Sequence, residues 1–328
     1  MLNTDAKLSS HIFTDAIEKA STRDGFGKGS VEIGKNDPRV VVLCADLSES
    51  TRAEWFQKEF PERFVEMGVA EQNMATVASG MAAAGKIPFI ASYAAFSPGR
   101  NYEQIRTTIA LNHVPVKICG MHAGVSVGPD GATHQMLEDI GLMRMLPGMT
   151  VIAPGDSEEA RKVVIAAAQT DGPVYIRFSR AVTPVFTTSE TPFEIGKALQ
   201  LWKSDDATIA ILSTGSLGYT ALVAAEALEK EGIRSTVLHV PTVKPLDEAA
   251  VLDATRRVRG VVTLEEHQAA GGFGSAIAEF LSQHQPVPMR LLGIKNMFGQ
   301  SGDPDQLLEH YGLDSLHIQE AVRDLMEG

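Results

Sequence analysis

Cysteine is nearly missing: the 328 residues hold two, Cys44 and Cys119, each inside an apolar run. That number cannot build a disulfide framework, and the setting suits buried thiols in a reducing, cytoplasmic compartment. Basic residues are scarce beside acidic ones, 29 against 41, for a net charge of −12. A surface with that balance repels phosphate backbones, so nucleic acid is not an expected partner. No window approaches the ~18 unbroken apolar residues of a membrane span. The opening residues MLNTDAKLSSHIFTD lack a basic segment followed by an apolar stretch, which argues against a signal peptide. Neither the Walker phosphate loop nor G-x-G-x-x-G spacing occurs, and there are no internal repeats. What is present is 44% apolar residues, and a length that fits about two domains at ~100–200 residues each.

Short β-rich runs alternate with helical patterns along the chain. VVVLCA (40–45), IPFIAS (87–92), VPVKICG (114–120), MTVIAP (149–154) and PVYIRF (173–178) are almost continuously apolar. Strands covered on both faces look like this. Between two of them, Met74, Val77, Ala78, Met81 and Ala82 keep the spacing of one helical face. Such alternation predicts an α/β fold built on mostly parallel sheets flanked by helices. The rhythm stops at TPVFTTSETPF (183–193) and restarts with ATIAILST (207–214), followed by an amphipathic face of Leu217, Ala221, Ala224, Ala225 and Leu228. RSTVLHV, GVVTLEE and PMRLLGI supply further strands. The expected division is a first domain over 1–188, a linker over 189–195 and a second domain over 196–328.

Several segments carry polar groups where apolar ones are the rule. Glu71 shares the stripe of Met74 and Ala78, and so faces inward. It is either a first-turn glutamate favoured by the helix dipole or a carboxyl group placed for proton exchange with a ligand. Tyr93 and Phe96 follow the strand IPFIAS, at the edge where open α/β sheets bind ligands, although ordinary packing also explains them. In GMHAGVSVGPDGATHQ (120–135), His122 and His134 flank a glycine-rich loop carrying Asp130. Their spacing of twelve matches no zinc motif, and no metal site is expected in the chain. His134 is expected to begin a helix on the stripe of Leu137 and Gly141. Glycines let backbone approach a ligand while His and Asp offer donors and acceptors, so a polar site is favoured over a structural turn. YIRFSR (175–180) ends a strand with Arg177 and Arg180, which suit either a solvated rim or a phosphate-bearing substrate. GGFGSAIAE (271–279) reads as a tight turn before a helix.

Taken together, STRDGFG near the start, ADLSEST (45–51), GVAEQNM (68–74), the YxxF pair (93–96), GPDGATHQ (128–135) and EEHQAAGGFGSA (265–276) resemble the second half of a transketolase, in transketolase order. The resemblance spans almost the whole chain. It implies a pyrimidine-binding domain followed by the carboxy-terminal domain of a thiamine diphosphate enzyme. A complete transketolase also carries a GDG…N motif that holds the diphosphate through Mg²⁺, and no GDG occurs here. The resemblance therefore implies the C-terminal subunit of a split transketolase, moving a two-carbon ketol unit between sugar phosphates. Its expected partner is an N-terminal subunit carrying the GDG…N domain and the Mg²⁺, in an α2β2 assembly.

Residue by residue, the family pattern puts Glu71 on the aminopyrimidine nitrogen, where it favours the imino tautomer. Phe96 stacks on the pyrimidine with Tyr93 beside it, and Asp46 lies near the thiazolium. His134 faces the donor hydroxyls and Asp130 reads a hydroxyl configuration. Arg23, Ser50, His122 and Arg180 grip the substrate phosphate. After Phe96 the segment departs from full-length transketolases and resembles deoxyxylulose-phosphate synthase, which places Arg100 near the cofactor. A half of that synthase is one alternative, the β subunit of a 2-oxo acid dehydrogenase is another, and a binding or regulatory paralogue is the non-enzymatic one. FSR (178–180) and the histidine of DGATHQ favour sugar phosphates.

Overall fold

The computed structural model describes residues 1–327. Two sheets form its frame. The larger has seven strands in the order 242–244, 150–152, 174–177, 117–121, 87–93, 40–44 and 64–66. Every neighbouring pair is parallel except the first, where Thr242–Lys244 runs antiparallel to Thr150–Ile152. The smaller sheet has five strands, 289–294, 260–268, 209–213, 235–239 and 199–202, with only the last antiparallel.

The apolar runs become central strands because both of their faces are covered. Val40, Val42 and Cys44 pack into one core with Phe26, Phe56, Phe89 and Val164. Val41 and Leu43 point the other way, into a core with Met74, Ala78, Ile90 and Ile118. Successive side chains of a strand alternate between faces, so a run apolar at every position needs a layer on each side. The second core also contains Ala210, Leu212, Val261 and Phe273 from the smaller sheet and the helix beside it, and so joins the two halves. On the opposite face, the helix Thr22–Asn36 lies directly on Ser157–Ala168. Gly25 permits that approach, because a Cβ there would stand 2.2 Å from the Ser157 carbonyl oxygen.

Several expectations are corrected. The helix predicted from Met74 and its partners runs from Glu71 to Ala83, but Ala75 and Ser79 join its buried face while Val77 and Met81 are only half-buried. The supposedly patternless 183–193 begins inside a short strand, Val182–Pro184, paired antiparallel with Lys19–Ser21. His134 does not begin a helix. Residues 132–134 form a turn, and the helix starts five residues later at Asp139. Arg177 is neither a rim residue nor open to a ligand. Its Nε donates to Asp139 Oδ2 at 2.8 Å and its Nη2 to the Glu266 carbonyl at 2.6 Å, while Tyr175 Oη donates to the same Asp139 oxygen at 2.7 Å. The Asp139 side chain is wholly buried, so this arginine both neutralises it and ties the larger sheet to the smaller. GGFGSAIAE is a turn before the helix Phe273–His284, and the amides at its start are used internally: Phe273 N and Gly274 N donate to the buried Glu265 carboxyl group, whose pKa burial pushes up to about 8.

Truncating one partner of a buried pair strands the other charge, at a cost of about 3–5 kcal/mol. Arg177→Met is therefore expected to lower the unfolding free energy by that order in urea denaturation. The double variant Arg177→Met/Asp139→Leu should recover most of the loss. A loss in the double variant equal to that of the single one would assign the cost to packing instead.

Candidate functional site

Four adjacent strands of the larger sheet, 40–44, 87–93, 117–121 and 174–177, deliver their carboxyl ends to one region. In chain order these ends lead into Asp46–Arg52, Tyr93–Arg100, His122–Gln135 and Phe178–Arg180. Open α/β sheets bind ligands at this edge, where the chain leaves the ladder and its polar groups are free.

An aromatic wall stands at the centre. The Tyr93 ring stacks on His122 with centroids 3.9 Å apart, and on Phe96 at 5.9 Å. His134 meets Tyr93 and Phe96 edge-on at 6.0 and 5.4 Å. Beside the wall lies Glu71, 1% exposed at the start of its helix. Arg100 Nη1 donates to Glu71 Oε2 at 2.7 Å, while the Arg100 guanidinium carbon sits 4.6 Å from the centre of the Phe96 ring. One arginine thus covers both a carboxylate and an aromatic face. Asn101, fully buried, donates to the Glu71 carbonyl at 3.0 Å and to Ser97 Oγ at 3.2 Å, which holds the helix start against the 93–101 turn.

The second part of the site is cationic. Arg23 Nη1 donates to the Ser50 carbonyl at 2.7 Å, and Arg180 Nη1 to the Val127 carbonyl at 2.7 Å. Ser50 thus meets Arg23 through its backbone; its hydroxyl turns back to Leu47. His122 is buried, with Nδ1 facing no protein partner and a backbone φ of 54°. Burial lowers its pKa to about 3, with repulsion from Arg23, Arg180 and Arg52 adding to the effect. The imidazole is therefore neutral among cations.

Two expected residues stand further out. Asp130 is exposed in the turn after Gly128, and no hydrogen bond among the described residues ties its carboxylate to the histidines. Asp46 is exposed as well, held at φ 58°, with its N–H donating to Glu66 Oε1 at 2.7 Å. It lines a cavity of about 570 Å³ together with Arg23, Ser50 and Arg52. Arg52, Asp24, Glu66 and Asn101 were not anticipated. Their contacts span 20 to 30 residues, and only the closeness of Arg52 to ADLSEST offered a hint. Among the described residues, no group of three or more His, Cys, Asp or Glu side chains is placed to hold a metal ion, and no helix is long and apolar enough to cross a membrane.

The chain has known counterparts. The transketolase pyrimidine-binding domain matches residues 18–185, and the transketolase C-terminal domain matches residues 196–318. The chain belongs to the transketolase family. A putative transketolase C-terminal section from Methanocaldococcus jannaschii is 42% identical over 308 residues, covering 93% of this chain and 96% of the relative. A 6-deoxy-6-sulfo-D-fructose transketolase subunit from a Clostridium species is 39% identical over 315 residues, covering 96% and 97%. Human transketolase is 36% identical over 311 residues, and the match takes up 94% of this chain but 49% of the human one. Among solved structures, a split gene transketolase described as an inactive β4 tetramer superposes with a TM-score of 0.87 at 42% identity, covering 94% and 98%. Campylobacter jejuni transketolase gives 0.81 at 25% identity, covering 94% of this chain and 47% of that one. The chain therefore spans about half of the single-chain relatives and nearly all of the section and subunit relatives.

The neutral His122 yields a prediction. Its folded pKa of about 3 lies below the ordinary histidine value of 6.5, so the unfolded chain binds the extra proton between those limits. Stability is expected to fall as pH drops from about 6.5 toward about 3. Histidine ring resonances followed by NMR should show no His122 titration between pH 8 and pH ~4.5, well above the folded value. Arg23→Ala should raise its midpoint, since that removes the strongest repulsion acting on the ring besides burial. A midpoint near that of an exposed histidine in the native protein would contradict the arrangement.

Proposed function

We propose that this chain is the C-terminal subunit of a split thiamine diphosphate-dependent transketolase, a transferase active only when an N-terminal subunit completes the site. The observation that carries the reading is the placement of buried Glu71 beside Phe96 and Arg100, next to the cluster of Arg23, His122 and Arg180. The residues fit the pyrimidine end of the cofactor. A flat heteroaromatic ring with a basic nitrogen calls for an aromatic face and an acid held out of water, and Phe96 and Glu71 supply both. They do not supply an acidic ligand set for Mg²⁺, so the reading gives the metal and the diphosphate to the partner. A C-terminal section and a subunit among the relatives support that division, and the assembly proposed with it is α2β2.

Bound thiamine diphosphate supplies the carbon nucleophile that takes up the two-carbon fragment of a ketose. Glu71 holds a proton at the pyrimidine nitrogen. Tyr93 and Phe96 set the ring's place, with Arg100 at the Glu71 carboxylate and Asp46 toward the thiazolium side. His134 and Asp130 face the sugar hydroxyls. Arg23, Ser50, His122 and Arg180 take the far anion of the substrate. That one relative is named for a sulfo sugar supports an anion at this end without fixing it as phosphate.

The isolated chain is expected to be inactive with saturating cofactor and Mg²⁺, and to gain activity and mass in light scattering when the partner is added. Ketol transfer by the chain alone would end the split-subunit reading. In the assembled enzyme, Glu71→Gln should slow proton exchange at the reactive cofactor carbon by ~10²–10⁴, the usual worth of a positioned acid or base. An unchanged exchange rate measured by NMR would remove Glu71 from the mechanism. Arg180→Ala should cost phosphorylated substrates about 1.5–3 kcal/mol, mostly as a higher KM, because the contact persists from ground state to transition state. Equal losses with hydroxypyruvate as donor would show that Arg180 serves the fold.

A further inference from the structure

We infer that Arg52 is a specificity-determining residue that selects substrates by the charge on their distal anion. The inference rests on the sugar-anion reading of the cavity and deepens it. Arg52 follows directly on the short helix Ser48–Thr51 and lines the same cavity as Arg23 and Ser50. Its backbone is left-handed, φ 67° and ψ 10°, a conformation that residues with a Cβ rarely adopt. The turn lets its N–H donate to the Glu49 carbonyl and ends one helix, while Ala53–Glu59 begins the next.

The guanidinium is aimed by two contacts, through two of its three nitrogens. Nε donates to Asp24 Oδ1 at 2.7 Å and Nη1 to the Glu49 carbonyl at 3.2 Å. Asp24 is itself pinned, since its Oδ2 accepts from Ser21 N at 3.2 Å and from Ser21 Oγ at 2.7 Å. Arginine has five N–H donors, and among the described residues Nη2 donates to no protein group, so its N–H groups are left for a ligand. Held through Nε and Nη1 with Nη2 unengaged, a planar fork is suited to an oxyanion.

Two neighbouring side chains keep a buried nitrogen without a partner. Arg23 Nε is buried without a protein partner, and so is His122 Nδ1. Arg23 and Arg52 line one cavity, and repulsion from Arg52 adds to the lowered pKa of both Arg23 and His122. Of the nearby carboxylates, Asp24 already serves Arg52, while Asp46 is exposed on the cavity wall and Glu49 lines it. A ligand bringing more than one negative charge relieves this crowding more than a monoanion does. A phosphate monoester carries about −1.5 to −2 charges near neutral pH. A sulfonate carries a single one. Arg52 is the added cation that favours the first over the second.

The test uses the enzyme assembled from this chain and its partner subunit, with Arg52→Met and Arg52→Lys. Acceptor aldoses of equal length would end in a phosphate, a sulfonate or a hydroxyl. Arg52→Met is expected to lower kcat/KM for the phosphate acceptor ~10–100-fold, chiefly through KM, as loss of one charge-assisted bond would. The sulfonate acceptor should lose less, the neutral one least, and Arg52→Lys should restore part of the difference. Without turnover, inorganic phosphate titrated into the isolated chain and followed by ³¹P NMR should bind Arg52→Met several-fold more weakly than wild type. Losses equal across the three acceptors, or phosphate binding unchanged in the variant, would overturn the inference. If Arg180→Ala impairs the phosphate acceptor selectively and Arg52→Met does not, the anion pocket stands and Arg52 is only structural. If the wild type does not distinguish phosphate from hydroxyl acceptors, the anion reading falls and the role of Arg52 with it.

Discussion

A parallel sheet gives its backbone hydrogen bonds to neighbouring strands and both of its faces to helices, so its free polar groups lie where the strands end. In this protein that constraint organises everything else. The strands 40–44, 87–93, 117–121 and 174–177 stand side by side, and their carboxyl ends empty into one region. Residues far apart in sequence meet there because the sheet leaves them nowhere else to project. The aromatic wall, the Glu71–Arg100 pair and the cluster of arginines are all built on segments that follow these ends or begin the adjoining helices.

Charge is handled differently within that region and behind it. Behind it, Asp139 and Arg177 neutralise each other in a fully buried contact that also fastens the two sheets through the Glu266 carbonyl. Such a pair adds little net stability over an apolar packing, but it penalises any arrangement that separates its members. At the open edge, Arg23 and Arg180 meet backbone carbonyls rather than carboxylates. Arg23, Arg52 and Arg180 surround a histidine kept neutral, with Asp24 as the carboxylate engaged among them.

The smaller sheet takes part in the site without lending it a side chain for chemistry. Gln135 Nε2 donates to the carbonyls of Val125, Gly128 and Gln300, and Ser126 N donates to Glu266 Oε1. The loop that carries Asp130 and His134 is thereby braced from the second half of the chain. Glycine at 124 is required by this contact, since a Cβ there would fall 2.3 Å from Glu266 Oε1 and φ is 92°.

How much of this was legible depends on the distance between the groups involved. Continuous apolar runs announce buried strands, since each side chain must find cover, and the α/β architecture followed from them directly. Glu71 was legible for the same reason: a carboxylate on an apolar helical stripe is a local fact about spacing. Arg177 and Arg180 were not separable, because they sit three residues apart and the partners that bury one of them lie 38 and 89 residues away. His134 was misplaced because a helical spacing pattern continued upstream of a turn that Gln135, through its contact with Gln300, holds in place. Arg52 carried no signal beyond its place after ADLSEST; its proposed role depends on Asp24, 28 residues earlier, and on a left-handed backbone. Local periodicity, fixed by helix and strand geometry, thus determined the elements and the direction Glu71 faces. Which charges are paired inside, and which are left open to a ligand, was decided only when the sheets brought distant residues together, because a buried charge takes its meaning from whatever lies within a few ångströms of it.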